Sequence, residues 1–516
     1  MPPPYQIKKG SYPIVYVRGY AMTRSEREET FNDAYYGFSA TSVEKRQASP
    51  ADDYLIADVF EGQMIRFMKM KEEYSYADAA NQGFAFHSDP SRSIWISRFY
   101  DQDYIRDKVR SIEEHAKELA HLIVNVIPLR LKSAGVQEAS IKKDYKVILI
   151  AHSMGGLVCR TLLQNILPNS EIVTPDSILA ADRIKDPKNL IHRLVTLGTP
   201  HKGIDLGNIP DFIENSIVAM LNPFDASIFK ESRMRDYLKL EPDEVLHSLA
   251  GKFPVKRCLC IIGSDYSAYS QVKHATGSFS DGLVKQDHAY VVDKRNSNNK
   301  YGEEQTAFYA NVHRAHSGYR GIVNSYESYE NIQRFLFGDL MVRISLANLT
   351  LMAPKKQGIT YFYDFEFSLS IRGTGAYLHR REQEPCENAL RFERSSIPND
   401  LHLHTGFLNS KLRITTDPYS YFVMKFRVLE YRREAGFLWD YKYPSRQIYS
   451  ESLEVKIGEG NSNAQYRWLS DMKEWEPFTQ SANGDFAVPL RKADSLQGTM
   501  VLRATPWPDK TLTFDE

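Results

Sequence analysis

Apolar residues follow two different patterns along this chain. Up to about residue 338, short runs that are apolar at almost every position alternate with stretches that are apolar at every third or fourth. Residues 14–17 (IVYV), 93–99 (SIWISRF), 147–150 (VILI), 194–197 and 258–262 are runs of the first kind. Such runs suit strands of a parallel sheet covered on both faces. Ile105, Val109, Ile112, Ala116, Leu119, Ile123 and Ile127 follow 3- and 4-residue steps, which predicts one face of a long helix from about Asp103. Asp101 or Asp103 is the expected cap, and Pro128 is expected to end or kink the helix. Leu157, Val158, Leu162 and Ile166 predict a second helix that stops before Pro168. Ile332, Phe335 and Leu336 predict a last one, closed by Gly338. Strand–helix alternation over this length means an α/β fold with a mostly parallel sheet.

Beyond Gly338 the period becomes two. Val342/Ile344/Leu346, Tyr361/Tyr363/Phe365/Phe367/Leu369, Phe422/Met424/Phe426/Val428 and Leu453/Val455/Ile457 alternate with polar residues. Strands of this kind, separated by turn signals, predict an all-β, sandwich-like domain. The expected division is 1–339 and 340–516. A chain of 516 residues also exceeds the roughly 250–300 that one core supports.

Charge narrows the partners. Lys+Arg and Asp+Glu are both 65, so the formal net charge is zero and the basic surplus of a nucleic-acid protein is missing. The N-terminal MPPPYQIKKGSYP lacks the charged–apolar–small order of a secretory signal. No apolar run reaches the ~18–20 residues of a membrane span. A cytoplasmic location is the default expectation, although secretion independent of a signal peptide leaves the same marks. Four cysteines do not make a disulfide framework in a chain this long. Cys258 and Cys260 share one strand face, and Cys159 sits among apolar helix residues, so buried reduced thiols are expected.

Candidate chemistry concentrates in VILIAHSMGGLVCRTLLQ. An apolar strand runs into Ala151-His152-Ser153-Met154-Gly155-Gly156, and a helix follows at once. Strand, sharp turn, serine and helix form the context of a nucleophile elbow. The turn brings strand and helix close together, so the residues two before and two after Ser153 must be small. Ala151 and Gly155 satisfy this. The helix N-terminus directs backbone N–H groups toward an oxyanion.

AHSMGG, the N-terminal PIVYVRGY and the later LVTLGTPHKG together resemble the lipase/esterase branch of the α/β-hydrolase family. The resemblance covers roughly residues 11–338. It implies a Ser–acid–His order, with Ser153 as nucleophile. The acid is then Asp281, in SDGLV, with Asp265 after CLCIIG as the rival. The base is His316, in HRAHSG, with His313 as the alternate. The oxyanion hole falls to the backbone N–H groups of Met154 and Tyr20. Relatives carry His where this chain has Arg18. The guanidinium therefore either changes what holds that loop or brings a charge near a substrate carboxylate or phosphate.

Between residues 203 and 254 lies an apolar insertion. Ile209, Phe212, Ile213, Ile217, Met220 and Leu221 share one helical face. It is expected to form a lid or cap over the pocket, the alternative being a helix packed permanently on the core. A second Tyr/Phe-rich insertion, about 21–92, is expected near the entrance. The resulting expectation is a serine ester hydrolase acting on lipid-like esters through an acyl-enzyme, with transient contact to a lipid surface. It needs neither metal nor organic cofactor. A phospholipase, including one exported as an effector, and a non-catalytic binding protein on the same scaffold are the alternatives. His402 and His404 are read as surface histidines rather than a metal pair, and His115 and His121 are too awkwardly spaced to ligate. The aromatic residues of the C-terminal domain fill its core or, with Arg432-Arg433, face a lipid or protein partner.

Overall fold

The computed structural model describes residues 5–19, 33, 35–38, 42–47, 55–69, 74–77, 89–99, 110–169, 172, 174, 176–204, 227–267, 279–294, 303–318, 321–352, 356–372, 374–413, 418–434, 446–458, 463–471, 474–481, 484–491 and 494–508. They divide into two compact units, one spanning 1–309 and 314–328, the other 310–313 and 329–516. The helix Tyr326–Phe337 enters the second unit at Tyr329, ahead of the expected limit at 339/340. In that unit its Phe335 ring lies 5.3 Å from Phe407 and 5.7 Å from Trp507, and Trp507 Nε1 donates to the Phe335 carbonyl at 2.9 Å.

The first unit is built on a seven-stranded sheet. Its order is β4 (Ser75–Tyr76), β5 (Ser93–Ser97), β1 (Ile14–Val17), β6 (Val147–His152), β7 (Ile191–Leu197), β8 (Cys258–Gly263) and β9 (Phe308–Val312), of which residues 308–309 belong to this unit. The pairings from β4 to β8 are parallel. A separate antiparallel hairpin joins β2 (Ser42–Gln47) to β3 (Leu55–Phe60). Every residue of β1 and β5 is buried, as a strand covered on both faces requires. The register sets Val17 against Ala151 and Ala151 against Thr196. The carboxyl ends of β1, β6 and β7 therefore converge, and in open parallel sheets that edge is where ligands bind.

Helix ends differ from the sequence expectation in instructive ways. The expected caps Asp101 and Asp103 lie outside the described residues. The helix Ile112–His121 opens on a capping box, with Ser111 bonded to the Glu114 N–H and Glu114 to the Ser111 N–H. Pro128 does not end this helical run. A π turn over Leu122–Val126 precedes it, with the Ile127 N–H reaching back to Leu122, and the helix continues over Ile127–Ser133. The wider turn accommodates a ring that has no N–H to give. The same device, Leu162–Ile166, carries the second helix through Pro168 to Asn169.

Among its described residues the second unit is all-β apart from that helix and two 3₁₀ turns. One antiparallel sheet orders β14 (Leu401–Leu408), β10 (Leu340–Leu351), β21 (Leu496–Pro506), β20 (Phe486–Pro489) and β19 (Thr479–Gln480). The other orders β12 (Tyr377–Arg381), β11 (Ile359–Ile371), β15 (Ser420–Glu434), β16 (Arg446–Ile457), β17 (Gln465–Trp468) and β18 (Glu476–Pro477), with β13 (Leu390–Glu393) paired to β11. Both sheets feed one apolar core, with Ile344, Leu346 and Leu502 from the first and Phe365, Phe426 and Val455 from the second. The opposite side of β11 is buried too. There Asp364 takes both 2.7 Å bonds of Arg391, and Glu366 pairs with Arg427.

His404 is not a surface histidine. It is 3% exposed and stacks on His379 at 4.0 Å. The β10–β14 register slips so that Ile344 faces His404 while Ser345 faces His402. This bulge breaks the strict alternation of the strand. All four cysteines are buried thiols. Among the described residues no helix is long and apolar enough to cross a membrane.

Candidate active site

Ser153 stands between the end of β6 and the helix Met154–Thr161 with φ +51° and ψ −126°. A serine tolerates this strained conformation only where its surroundings enforce it. Three bonds do so here. The Ser153 N–H donates to Leu197 O at 2.9 Å, and its carbonyl accepts from the Gly156 N–H at 3.0 Å and from Thr199 Oγ1 at 2.9 Å. Gly155 is sterically required. A Cβ there would lie 2.4 Å from the Val17 carbonyl oxygen and 2.5 Å from that of Arg18. The helix therefore starts directly against the end of β1.

Two loops bring partners to the serine. His316 Nε2 lies 2.9 Å from Ser153 Oγ, and His316 Nδ1 lies 2.8 Å from Asp281 Oδ2. A carboxylate only accepts, so Nδ1 carries the proton and Nε2 accepts from the serine hydroxyl. The other oxygen, Asp281 Oδ1, accepts from the N–H groups of Leu283 (3.0 Å) and Val284 (2.7 Å). The His316 N–H donates to Asp281 O at 2.9 Å, so the two loops are also tied through their backbones. All three side chains are nearly sealed, with Ser153 6%, Asp281 1% and His316 4% exposed.

The rival residues occupy other positions. Asp265 follows β8, where its Oδ1 accepts the N–H and hydroxyl of Ser267. The imidazole bonded to Ser153 is that of His316, while His313 follows directly on β9 and is half-buried. The Met154 N–H opens its helix next to Ser153. Tyr20 lies outside the described residues, as do the lid residues Ile209, Phe212, Ile213, Ile217, Met220 and Leu221. Arg18 is described: its Nη1 donates to the Tyr36 carbonyl at 2.7 Å, so the guanidinium ties the loop after β1 to the segment 35–38. Tyr36 is fully buried beneath Arg98, whose guanidinium lies 4.9 Å from its ring.

One neighbour went unread in the sequence. His152 Nε2 donates to the His316 carbonyl at 3.0 Å, and the two rings lie 5.0 Å apart. Burial, and secondarily the nearby His316, push His152 well below the usual histidine range, so it stays neutral. Position alone, directly before the candidate nucleophile, was the available signal. Among the described residues, no cluster of His, Cys, Asp and Glu is arranged to hold a metal ion.

The family described as the PGAP1-like alpha/beta domain matches residues 68–214. No curated protein matches the chain significantly. Among solved structures, phospholipase PlaB from Legionella pneumophila aligns over 82% of this chain and 90% of its own at 10% identity, with a TM-score of 0.33. The lipase BlEst2 from Bacillus licheniformis aligns over 65% and 95% at 13% identity (TM-score 0.29). EstA from Clostridium botulinum aligns over 63% and 87% at 14% identity (TM-score 0.29). The parallel sheet, the strand–serine–helix bend and the family match define an α/β-hydrolase fold.

Proposed function

We propose that the protein is a serine carboxylic-ester hydrolase whose nucleophile, base and acid are Ser153, His316 and Asp281. The observation that carries this reading is the unbroken chain of contacts from Ser153 Oγ through His316 to Asp281, 2.9 and 2.8 Å long. Serine is a weak nucleophile until a base takes its proton. His316 Nε2 removes it as Oγ attacks the ester carbonyl. Asp281 holds the ring in the tautomer that leaves Nε2 free to accept, and stabilises the imidazolium that forms. The Met154 N–H and, by motif position, that of Tyr20 receive the negative oxygen of the tetrahedral intermediate. His316 then protonates the leaving alkoxide, and an acyl-enzyme remains on Ser153. Water, activated by the same imidazole, releases the acid and restores the serine.

The substrate class in this proposal is a lipid-like ester. It rests on the apolar sequence of the insertion 203–254, read as a cap. A phospholipid is the narrower version of the same proposal. The contact of Arg18 with Tyr36 favours catalysis over the binding-protein reading, because the residue that replaces the family's His supports the loop rather than blocking it.

The test compares wild type and Ser153→Ala on p-nitrophenyl esters of graded chain length, with a fluorophosphonate probe beside them. Covalent capture at Ser153 and turnover that vanishes in the variant are expected. Equal turnover in both proteins defeats the proposal. Lipid mass spectrometry after incubation with phospholipid vesicles separates the phospholipase version.

A further inference from the structure

The second unit contains a cavity of about 430 Å³ that the chemistry at Ser153 does not use. Leu408, Leu412 and Ile371 give it an apolar wall, and Tyr419 and Tyr421 an aromatic one. The charged groups among its described lining residues are of one sign. Arg334, Arg372 and Arg413 line it, and no carboxylate is among the described lining residues.

The arginines differ in how firmly they are engaged. Arg334 is buried in an ion pair with Glu330. Arg413 Nε reaches Ser420 Oγ at 3.4 Å. The Arg372 side chain is 64% exposed and lies 5.3 Å over the Tyr421 ring. It meets Glu454 at 3.8 Å, but that carboxylate is already held by Arg467 at 2.6 Å. Cation–aromatic contacts continue beyond the cavity onto β16 and β17. Lys456 stands 4.8 Å from the Tyr419 ring and 4.5 Å from Trp475, and Arg467 stands 4.7 Å from Trp475.

Asn409 also lines the cavity and is 6% exposed, with its Oδ1 accepting the Lys411 N–H at 3.1 Å. Guanidinium groups are donors only, so a group bound beside these arginines offers acceptors, and an anion pairs with them best.

We propose that this cavity binds a small amphiphile with an anionic head. Arg372 and Arg413 take a carboxylate or phosphate, and Leu408, Leu412 and Ile371 take the aliphatic tail. The volume falls within the range of small-molecule sites. The head belongs either to a free amphiphile or to an anionic lipid in a bilayer, and both present the same chemistry. The assignment does not depend on the reaction at Ser153.

The experiment uses the full chain and dodecyl phosphate below its micelle concentration, followed by calorimetry. One-site binding is expected. It should weaken at least about tenfold in Arg372→Gln/Arg413→Gln, which loses two charged donors. Dodecyl maltoside, with the same tail and no charge, should also bind at least about tenfold more weakly. Thermal melts check that the double variant folds; if it does not, the exposed Arg372→Gln alone serves. A second arm sediments the protein with phosphatidylcholine vesicles with and without phosphatidylglycerol. Retention on the anionic vesicles alone, lost in the variant, assigns the site to a bilayer headgroup. Dodecyl phosphate binding without vesicle retention assigns it to a free amphiphile. Binding of neither, or equal binding by wild type and variant, overturns the proposal.

Discussion

Asp281 Oδ2 lies 2.8 Å from His316 Nδ1, while its Oδ1 takes two backbone N–H groups within its own turn. The carboxylate thus has its orientation fixed on one side and serves the imidazole on the other. Asp281→Asn keeps the shape but presents an amide, which can turn an N–H toward Nδ1 and select the wrong tautomer. We expect kcat on p-nitrophenyl esters to fall by about 10⁴-fold, the size seen for this change in serine proteases. Asp265→Asn, whose carboxylate caps Ser267 instead, should cost less than about tenfold. The reverse ranking would move the acid to Asp265.

Arg18 offers a test of how the loop after β1 is held. Its bond to the Tyr36 carbonyl is 2.7 Å long, and Gly37 packs so closely that a Cβ there would overlap the guanidinium. Arg18→Ala removes the tie without removing any backbone donor. We expect kcat to drop by less than the ~10²–10³-fold that loss of a whole oxyanion donor costs, with KM little changed. Arg18→Lys should recover only part of the loss, because an ammonium lacks the planar fork. A change confined to KM would place Arg18 on the substrate instead.

How much of this could be read from the chain depended on whether the signal was local. The all-apolar 147–150 run and the small residues around Ser153 are local demands, and they appear as such in the sequence. The π turns ahead of Pro128 and Pro168 are not. Proline reads as a stop, and only the structure shows the preceding turn widening to carry the helix through. The Ser111/Glu114 capping box was legible but was passed over for aspartates further upstream. His404 illustrates a different limit: one extra residue on β14 changes which side chains face inward, and no periodicity announces it. The pairing of residues 153, 281 and 316 spans 163 positions and became an expectation only through family resemblance.

Close packing behind the elbow gives a prediction about stability. The missing Cβ of Gly155 would sit 2.4 Å from a backbone oxygen, which has no rotamer to escape into. Gly155→Ala must therefore push the helix Met154–Thr161 away from β1. Overpacking of this kind costs typically about 1–3 kcal/mol, and contact with rigid backbone puts this site at or above the upper end. Urea unfolding should show a lowered midpoint. Activity should fall further than stability, because the displaced helix carries the Met154 N–H. A variant as stable as wild type would contradict the packing.

Acid sensitivity of the second unit follows from its stacked histidines. Burial, and then the charge of nearby His402, lowers His404 to about 3; burial, and then His404, holds His379 well below the ordinary value. His379 Nδ1 also accepts the Asn311 N–H at 3.3 Å, a bond that protonation of that nitrogen would forfeit. In the unfolded chain both rings titrate near 6.5. Between about pH 6.5 and 3 the unfolded state therefore holds more protons than the folded one, and stability falls as pH falls. Above that window the two states bind alike and the effect disappears. Each fully neutral buried histidine contributes a slope of ~1.4 kcal/mol per pH unit inside the window. Chemical unfolding followed at Trp468 and Trp507 between pH 4 and 8 measures it. His404→Phe, which keeps a ring against His379 and removes one titrating group, should flatten the dependence by about half. An unchanged slope in that variant would show that acid lability arises elsewhere.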